Sequence, residues 1–395
     1  MIDAGKKCTA CGACKQVCPV ACITMQEDEN GFLKPIINTE QCIGCNRCLT
    51  VCPIEMPLQE VRSKAYAVVS RNLDFLSAAT SGGAFGVIAS FVIENGGVVY
   101  GCAYGEALKP MHMRVETKSA LEIFFGSKYI QSDTGETFVS AQRDLKENKL
   151  VLFSGTPCQI AGLKAFLGKE YDNLLTVDLI CHGVPSYAYF RKYLDGLEEK
   201  EKMVITDFSF RSKKNRGWSV NGTFLGYQQN YNRKKEKKLN NCDSYYYSYF
   251  LEGDIYRESC YTCKYATLQR VGDFTLGDFW GAEGADLPFS VKKGCSLVLV
   301  NTNKANDVFP KLNFLCQEIS IEDACKFNGQ LNKPTKVSAR REELLRQYRE
   351  FSSQEIEKFY KKNNKKKIFI KKLKNLIPVS IKNVILKMRY ARRKQ

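Results

Sequence analysis

The run Cys8-Thr9-Ala10-Cys11-Gly12-Ala13-Cys14-Lys15-Gln16-Val17-Cys18-Pro19 recurs in the same spacing as Cys42-Ile43-Gly44-Cys45-Asn46-Arg47-Cys48-Leu49-Thr50-Val51-Cys52-Pro53. Each copy reads C-x2-C-x2-C-x3-C-P, so the segment is an internal duplication with a 34-residue period. Nine of the 18 cysteines lie before residue 53. Between the copies, Ile23 to Met25 and Leu33 to Ile37 are expected to pair as a two-stranded ribbon around the turn Glu29-Asn30-Gly31.

Three cysteines at this spacing wrap a loop around one corner of a cubane, and the thiolate before proline ligates the other cluster, as in a bacterial two-cluster ferredoxin. Carried onto this chain, cluster one takes Cys8, Cys11, Cys14 and Cys52, and cluster two takes Cys42, Cys45, Cys48 and Cys18. Structural zinc also accepts four thiolates, but zinc pairs come as two separated C-x2-C knuckles rather than four cysteines in one tight run. Cys22 is left over, as a small buried residue or a spare thiol. A segment this short has little core of its own, so its clusters are expected to supply folding energy.

The remaining composition narrows the class. At 395 residues, 44% of them hydrophobic, the chain is long enough for two or three domains and is not a disordered tail. With only His112 and His182, a three-histidine metal centre is excluded. The chain shows no secretory leader and no apolar run of membrane-spanning length, so a cytoplasmic protein with metal-binding rather than disulfide-bonded cysteines is expected. Of the net charge of +17, 14 positive charges with no acid fall between Lys361 and the end, leaving residues 1–360 at +3. A body this close to neutral argues against specific nucleic-acid binding.

After Pro57, helical and strand patterns alternate, which predicts an α/β (α+β) body with a mixed sheet. Helices are expected over 83–95, 136–147, 159–167, 187–197 and 342–361. Strands are expected over 98–104, 149–154, 174–181, 204–211, 274–278 and 296–301. The division is 1–58 for the two-cluster ferredoxin-like domain, 65–150 and 151–335 for two parts of the body, and 336–395 for a helical, basic tail.

A second set of cysteines stands where strands end. Cys158 follows Gly155-Thr156-Pro157 at the start of a helix, where amide dipoles are expected to ease its ionisation. Cys181 closes a strand, and Cys260 and Cys263 form a C-x2-C pair. These four suit a third 4Fe-4S cluster, a dithiol pair, a zinc site or inert burial. Cys102, Cys242, Cys295, Cys316 and Cys325 read as small core residues.

Thr80-Ser81-Gly82-Gly83, Gly126-Ser127-Lys128-Tyr129, Gly155-Thr156-Pro157-Cys158, the Cys260/Cys263 pair and Gly277-Asp278-Phe279-Trp280-Gly281 together resemble the beta subunit of coenzyme F-420-reducing hydrogenase and its FrhB-like relatives. With the ferredoxin segment in front, the likeness covers roughly residues 1–335 and is strongest to a bacterial subgroup associated with polysaccharide biosynthesis. It implies FAD and a third 4Fe-4S cluster on Cys158, Cys181, Cys260 and Cys263. A flavin converts between one-electron and two-electron chemistry. Thr80, Ser81, Gly82 and Gly83 would meet its phosphates, or form only a turn and helix cap. Lys128 would meet a phosphate or the flavin edge, or stand solvated. Asp278 would bond a ribose or flavin edge, or cap a turn. Trp280 and the run Tyr245, Tyr246, Tyr247 and Tyr249 would stack on a ring, although Tyr245 and Tyr249 at i, i+4 favour ordinary helix packing. Arg211, Lys213, Lys214 and Arg216 would face an anionic substrate or solvent.

The expected function is an iron–sulfur flavoprotein oxidoreductase. It would take electrons from reduced ferredoxin or a similar donor and reduce a small molecule or lipid-linked sugar, with His182 and Lys128 as candidate catalytic groups. The alternative is an electron-transfer subunit without its own substrate. In the tail, Ile368, Phe369, Leu373, Leu376, Ile377, Ile381, Val384, Ile385 and Met388 approximate one apolar helical face beside the cations, with a break at Pro378. This suits an anionic membrane surface, nonspecific RNA binding or a disordered solubilising tail.

Overall fold

The computed structural model describes residues 5–214, 217–228 and 233–376. The duplicated segment forms two short strands, β1 (Ile23–Glu27) and β2 (Leu33–Ile37), paired antiparallel as the sequence predicts. Gly31 makes the turn at φ +75°, a backbone conformation that side chains with a Cβ resist.

The body is built on an eight-stranded mixed sheet. Its strands are β3 (Lys64–Ser70), β4 (Val98–Tyr104), β5 (Pro110–Val115), β6 (Val151–Gly155), β7 (Leu174–Leu179), β11 (Phe274–Asp278), β12 (Ser296–Val300) and β13 (Phe314–Ile319). They run in the order β13-β3-β12-β11-β7-β6-β4-β5. The four strands β4, β6, β7 and β11 are mutually parallel, so their carboxyl ends share one edge. β12 runs antiparallel between β11 and β3, which brings Ser296 and Ser70 to that same edge. Parallel sheets place ligand sites at such edges because the chain turns away there and leaves a crevice.

Three further strands, β8 (Met203–Ser209), β9 (Gly222–Gln228) and β10 (Lys234–Leu239), form a separate antiparallel sheet. The predicted strand over 204–211 therefore belongs to a second lobe and not to the main sheet. This lobe packs on helices Tyr187–Glu201 and Tyr245–Glu252 around an aromatic core that includes Phe190, Tyr193, Phe208, Phe210, Tyr245 and Tyr246. The tyrosine run is thus core. Tyr245, Tyr246, Tyr247 and Tyr249 are at most 2% exposed, and packing rather than ligand stacking explains them.

Two expectations need correction at the C-terminal side. The single helix predicted over 342–361 is two, Arg341–Glu350 and Ser353–Asn363. Ser352 stops the first and caps the second through a reciprocal box with Glu355, which fixes the break. Cys316 is exposed on β13 rather than a small core residue, because β13 is an edge strand with one open side. Cys242 and Cys295 are buried as expected. Of the tail, Lys365–Leu376 is helical, whereas Arg216 and residues 377–395 lie outside the described residues. No helix among the described residues is long and apolar enough to cross a membrane.

Candidate redox site

The ferredoxin-like segment is bound to the body through its first cysteine loop. Gly12 sits at φ +81°, and a Cβ there would lie 2.4 Å from Thr134 Oγ1, so the loop can approach only as glycine. Thr134 donates to the Cys11 carbonyl at 3.0 Å, and the Phe138 amide donates to Gln16 Oε1 at 2.8 Å. Helix Pro157–Leu167 reaches the same loop through Gly162, where a Cβ would lie 2.9 Å from Cys11 Sγ. The loop 8–14 is accordingly buried or half-buried, whereas residues 43–47 of the second copy are exposed.

The twelve predicted ligands gather into three cavities. Cys8, Cys11, Cys14 and Cys52 line one of about 340 Å³. Cys18, Cys42, Cys45 and Cys48 line a second of about 460 Å³, together with Cys22. These are the two cross-linked sets that the spacing predicts. Cys22 is the thiol that sequence reasoning leaves without a place; its sulfur lies 3.4 Å from that of Cys18.

The third cavity, about 480 Å³, is lined by Cys158, Cys181, Cys260 and Cys263, with His182 and Arg257. The sheet assembles it: Cys158 follows β6, Cys181 follows β7, and the pair 260/263 comes from the segment that leads into β11. Buried Asp178 on β7 locks that segment. Arg270 Nη2 donates to Asp178 Oδ1 at 2.8 Å, while Arg270 Nη1 donates to the carbonyls of Tyr265 and Thr267. The amides of Val271 and Gly272 bind the other carboxylate oxygen. No sequence spacing connects Asp178 to Arg270, so this clamp is visible only in three dimensions.

The electrostatics of this cavity correct one expectation. Burial pushes the Cys158 thiol up to about 11 despite its place on the first turn of a helix and its contact with Thr156 Oγ1 at 3.1 Å. Desolvation outweighs the helix-terminal field, so the free thiol does not ionise easily. Cys260 is likewise pushed up to about 12 by burial, and Cys181 rises well above its usual value. Deeply buried thiols of this kind become thiolates when a metal group displaces their protons.

Among the described residues no three His, Cys, Asp or Glu side chains converge on a single-ion position. Zinc–sulfur bonds of about 2.3 Å would draw four sulfurs to one point. Here each set of four instead rings a cavity, an arrangement that fits a multi-iron cluster better than a lone ion.

The neighbouring part of the sheet edge holds the residues expected to meet a flavin. Gly82 donates its amide to Ser296 Oγ at 2.9 Å, and a Cβ there would lie 2.4 Å from the Val68 carbonyl. Gly83, at φ +85°, precedes helix Ala84–Glu94. The two glycines thus serve close packing first. Ser81 donates to the Cys295 carbonyl at 2.6 Å, and Ser127 to Thr80 Oγ1 at 3.1 Å. Lys128 is not solvated: its ammonium donates to the carbonyls of Ile123 and Phe125 at 3.1 and 3.0 Å. Lys214 pairs with Glu236 away from this group. His182 is exposed at the mouth of the third cavity, its carbonyl held by Thr335.

Asp278, at the end of β11, pairs with buried Arg211 and accepts from Trp218 Nε1 at 2.9 Å. Trp218 stacks on Trp280, ring centroids 5.4 Å apart, and the Arg211 guanidinium lies 5.1 Å from the Trp280 ring centre. Lys213 reaches the carbonyls of Leu76 and Ser81, and burial lowers its pKa to about 8. Among the described residues, Arg211 Nη2, Ser219 Oγ and Tyr247 Oη are buried without a hydrogen-bond partner. Orphaned polar atoms beside a net positive charge and an indole pair fit a ligand with an anionic group and a flat ring. Arg211, Trp218 and Tyr247 belong to the smaller lobe and its helix, so their approach to Asp278 has no local sequence signal.

Residues 148–317 match the family model for the C-terminal part of the coenzyme F-420 hydrogenase/dehydrogenase beta subunit. Residues 7–56, and by a second model residues 34–79, match 4Fe-4S dicluster domains. A similar solved structure is a chain of the F-420-reducing NiFe hydrogenase complex from Methanosarcina barkeri, at 16% identity and a TM-score of 0.40, covering 78% of this chain and 93% of that one. No curated protein matches. The chain thus joins a 4Fe-4S dicluster domain to a segment that matches the C-terminal part of the coenzyme F-420 hydrogenase/dehydrogenase beta subunit, and is an electron-transfer iron–sulfur protein of that type.

Proposed function

We propose that this chain is an iron–sulfur flavoprotein oxidoreductase. In this reading single electrons enter at the exposed second cysteine loop and leave from the carboxyl edge of the main sheet as a two-electron reduction. The observation that carries the reading is the sequence of three thiol cages. The outermost contains exposed Cys45, the middle one is packed on the body through Cys11, and the innermost shares Thr9 with the middle one as a wall residue.

When bound, the clusters exchange one electron at a time and FAD exchanges one or two, which supplies the conversion between carrier and organic substrate. The chain's own residues have three tasks. Twelve cysteines hold the clusters: Cys18, Cys42, Cys45 and Cys48 outside, Cys8, Cys11, Cys14 and Cys52 in the middle, and Cys158, Cys181, Cys260 and Cys263 inside. Arg211 and Lys213, with Thr80 and Ser81, would hold the anionic part of FAD, while Trp218, Trp280 and Asp278 would face its ring and ribose. His182, exposed beside the inner cage, is the imidazole available to deliver a proton to substrate.

The donor in this reading is reduced ferredoxin or a similar one-electron carrier. The substrate is a small molecule or lipid-linked sugar in polysaccharide biosynthesis, and the basic tail rests on an anionic membrane surface. The family description, a beta subunit, favours a second reading in which the chain only passes electrons to a partner oxidoreductase.

Anaerobic purification followed by iron, sulfide and flavin analysis tests the cofactor content. Three cubanes correspond to about 12 iron per chain and two to about 8, at four irons each. A flavin-free preparation would overturn the flavoprotein reading. Turnover of an organic substrate with a chemical reductant alone supports the enzyme, and flavin reduction without turnover supports the electron-transfer role.

A further inference from the structure

Arg257 stands between the middle and inner thiol cages and is only 4% exposed. It lines the inner cavity with Cys158, Cys181, Cys260 and Cys263. On its other side Nη1 donates to the carbonyl of Cys8, a middle-cage residue, at 3.3 Å. Nη2 donates to the Leu33 carbonyl at 2.8 Å and Nε to Gln131 Oε1 at 2.9 Å. Gln131 in turn donates to the Thr9 carbonyl at 2.9 Å, so the guanidinium is held on both domains. The guanidinium carbon lies 5.2 Å from the Phe32 ring centre.

These three acceptors of the buried cation are all neutral oxygens. Asp28, a nearby acid, is already paired with Lys34. Among the described residues no carboxylate bonds this guanidinium, and such a buried cation is costly unless some other negative group faces it. The groups that face it here are the two cysteine cages, which are anionic once their sulfurs ligate iron.

From this geometry we infer that Arg257 is the shared counter-charge of the middle and inner clusters, a positioning residue that sets both midpoint potentials and keeps them close enough for transfer. The inference rests on the proposed inner cluster. In each transfer a reduced donor loses one electron and the accepting cluster gains it, with no bond made and no proton moved. The fixed positive charge stabilises the more negative, reduced form of each cage, which raises its potential.

The test is a redox titration of the anaerobic, full-length protein followed by electron paramagnetic resonance, with iron counted on the same sample. Arg257→Gln is expected to retain its iron while both the middle and inner midpoints move negative. Arg257→Lys, which keeps the charge, should stay near the parent. Gln131→Glu, which puts a carboxylate on the guanidinium at nearly constant volume, should reproduce the negative shift even if Arg257→Gln does not fold.

Unchanged midpoints in Gln131→Glu, or in an iron-replete Arg257→Gln, would overturn the inference. A parent protein with only about 8 iron would instead remove the inner cluster. The dicluster midpoint would then still report whether Arg257 acts on the middle cage.

Discussion

At the scale of single residues, the sharpest distinction is between thiols that build a cage and side chains that only support one. Cys158→Ala should remove about four iron from a 12-iron protein and leave the dicluster signal intact, as read by iron analysis and low-temperature spectroscopy. His112 is the other informative residue. It is buried, its Nε2–H donates to the Ser154 carbonyl at 3.0 Å, and its Nδ1 accepts from Ser132 at 3.3 Å. Burial lowers its pKa from 6.5 to about 4. Below pH 6.5 the unfolded chain therefore binds a proton that the folded one refuses. Stability is fully present above that pH and is lost as pH falls towards 4, by about 3 kcal/mol in all. Denaturant titrations between pH 7 and 4 should show this slope in the parent protein and a smaller one in His112→Gln.

At the scale of elements, the duplicated cysteine runs and most of the parallel strands were legible, because spacing and continuous apolar runs are local signals. β3 was not. Lys64–Ser70 alternates weakly, and its place in the sheet follows from pairing with β12 and β13, more than 200 residues away. The break at Ser352 was also missed, although Ser352 and Glu355 carry the spacing of a capping box. Helical periodicity continues on both sides and hides it. Ser352→Ala should cost about 1 kcal/mol in thermal or denaturant unfolding, the usual loss for a helix cap.

The Asp178–Arg270 clamp is the element-scale feature on which the inner cage depends. Asp178→Asn leaves a buried guanidinium uncompensated, at about 3–5 kcal/mol. The variant should melt earlier and lose the inner iron before the dicluster iron. Loss of stability with all iron retained would mean that the segment 260–272 is held by other contacts.

At the scale of the whole molecule, the fold class was readable from alternation, and the redox class from cysteine grammar. The assembly of the flavin-edge candidates was not readable. Asp278 ends β11, Tyr247 lies on a helix, and Arg211 and Trp218 lie between β8 and β9, so only tertiary packing brings them together. Lys128, which sequence alone left open between ligand and solvent, is held by backbone carbonyls. The proposed role of the tail is likewise a property of the intact protein. A chain ending after Leu376 should lose co-sedimentation with anionic vesicles while keeping its iron. Unchanged sedimentation would remove the membrane from the account.

The two copies of the cysteine run are unequal in shelter: Cys11 and Cys14 are buried, while Cys45 is exposed. Air reaches an uncovered iron cage sooner than a covered one. In the proposed reading, damage by oxygen should therefore begin at the outer cage and work inward, leaving protein that still binds the inner groups but can no longer be charged by the proposed donor. Such material would keep only part of its visible absorbance and would fail when asked to accept electrons from another protein.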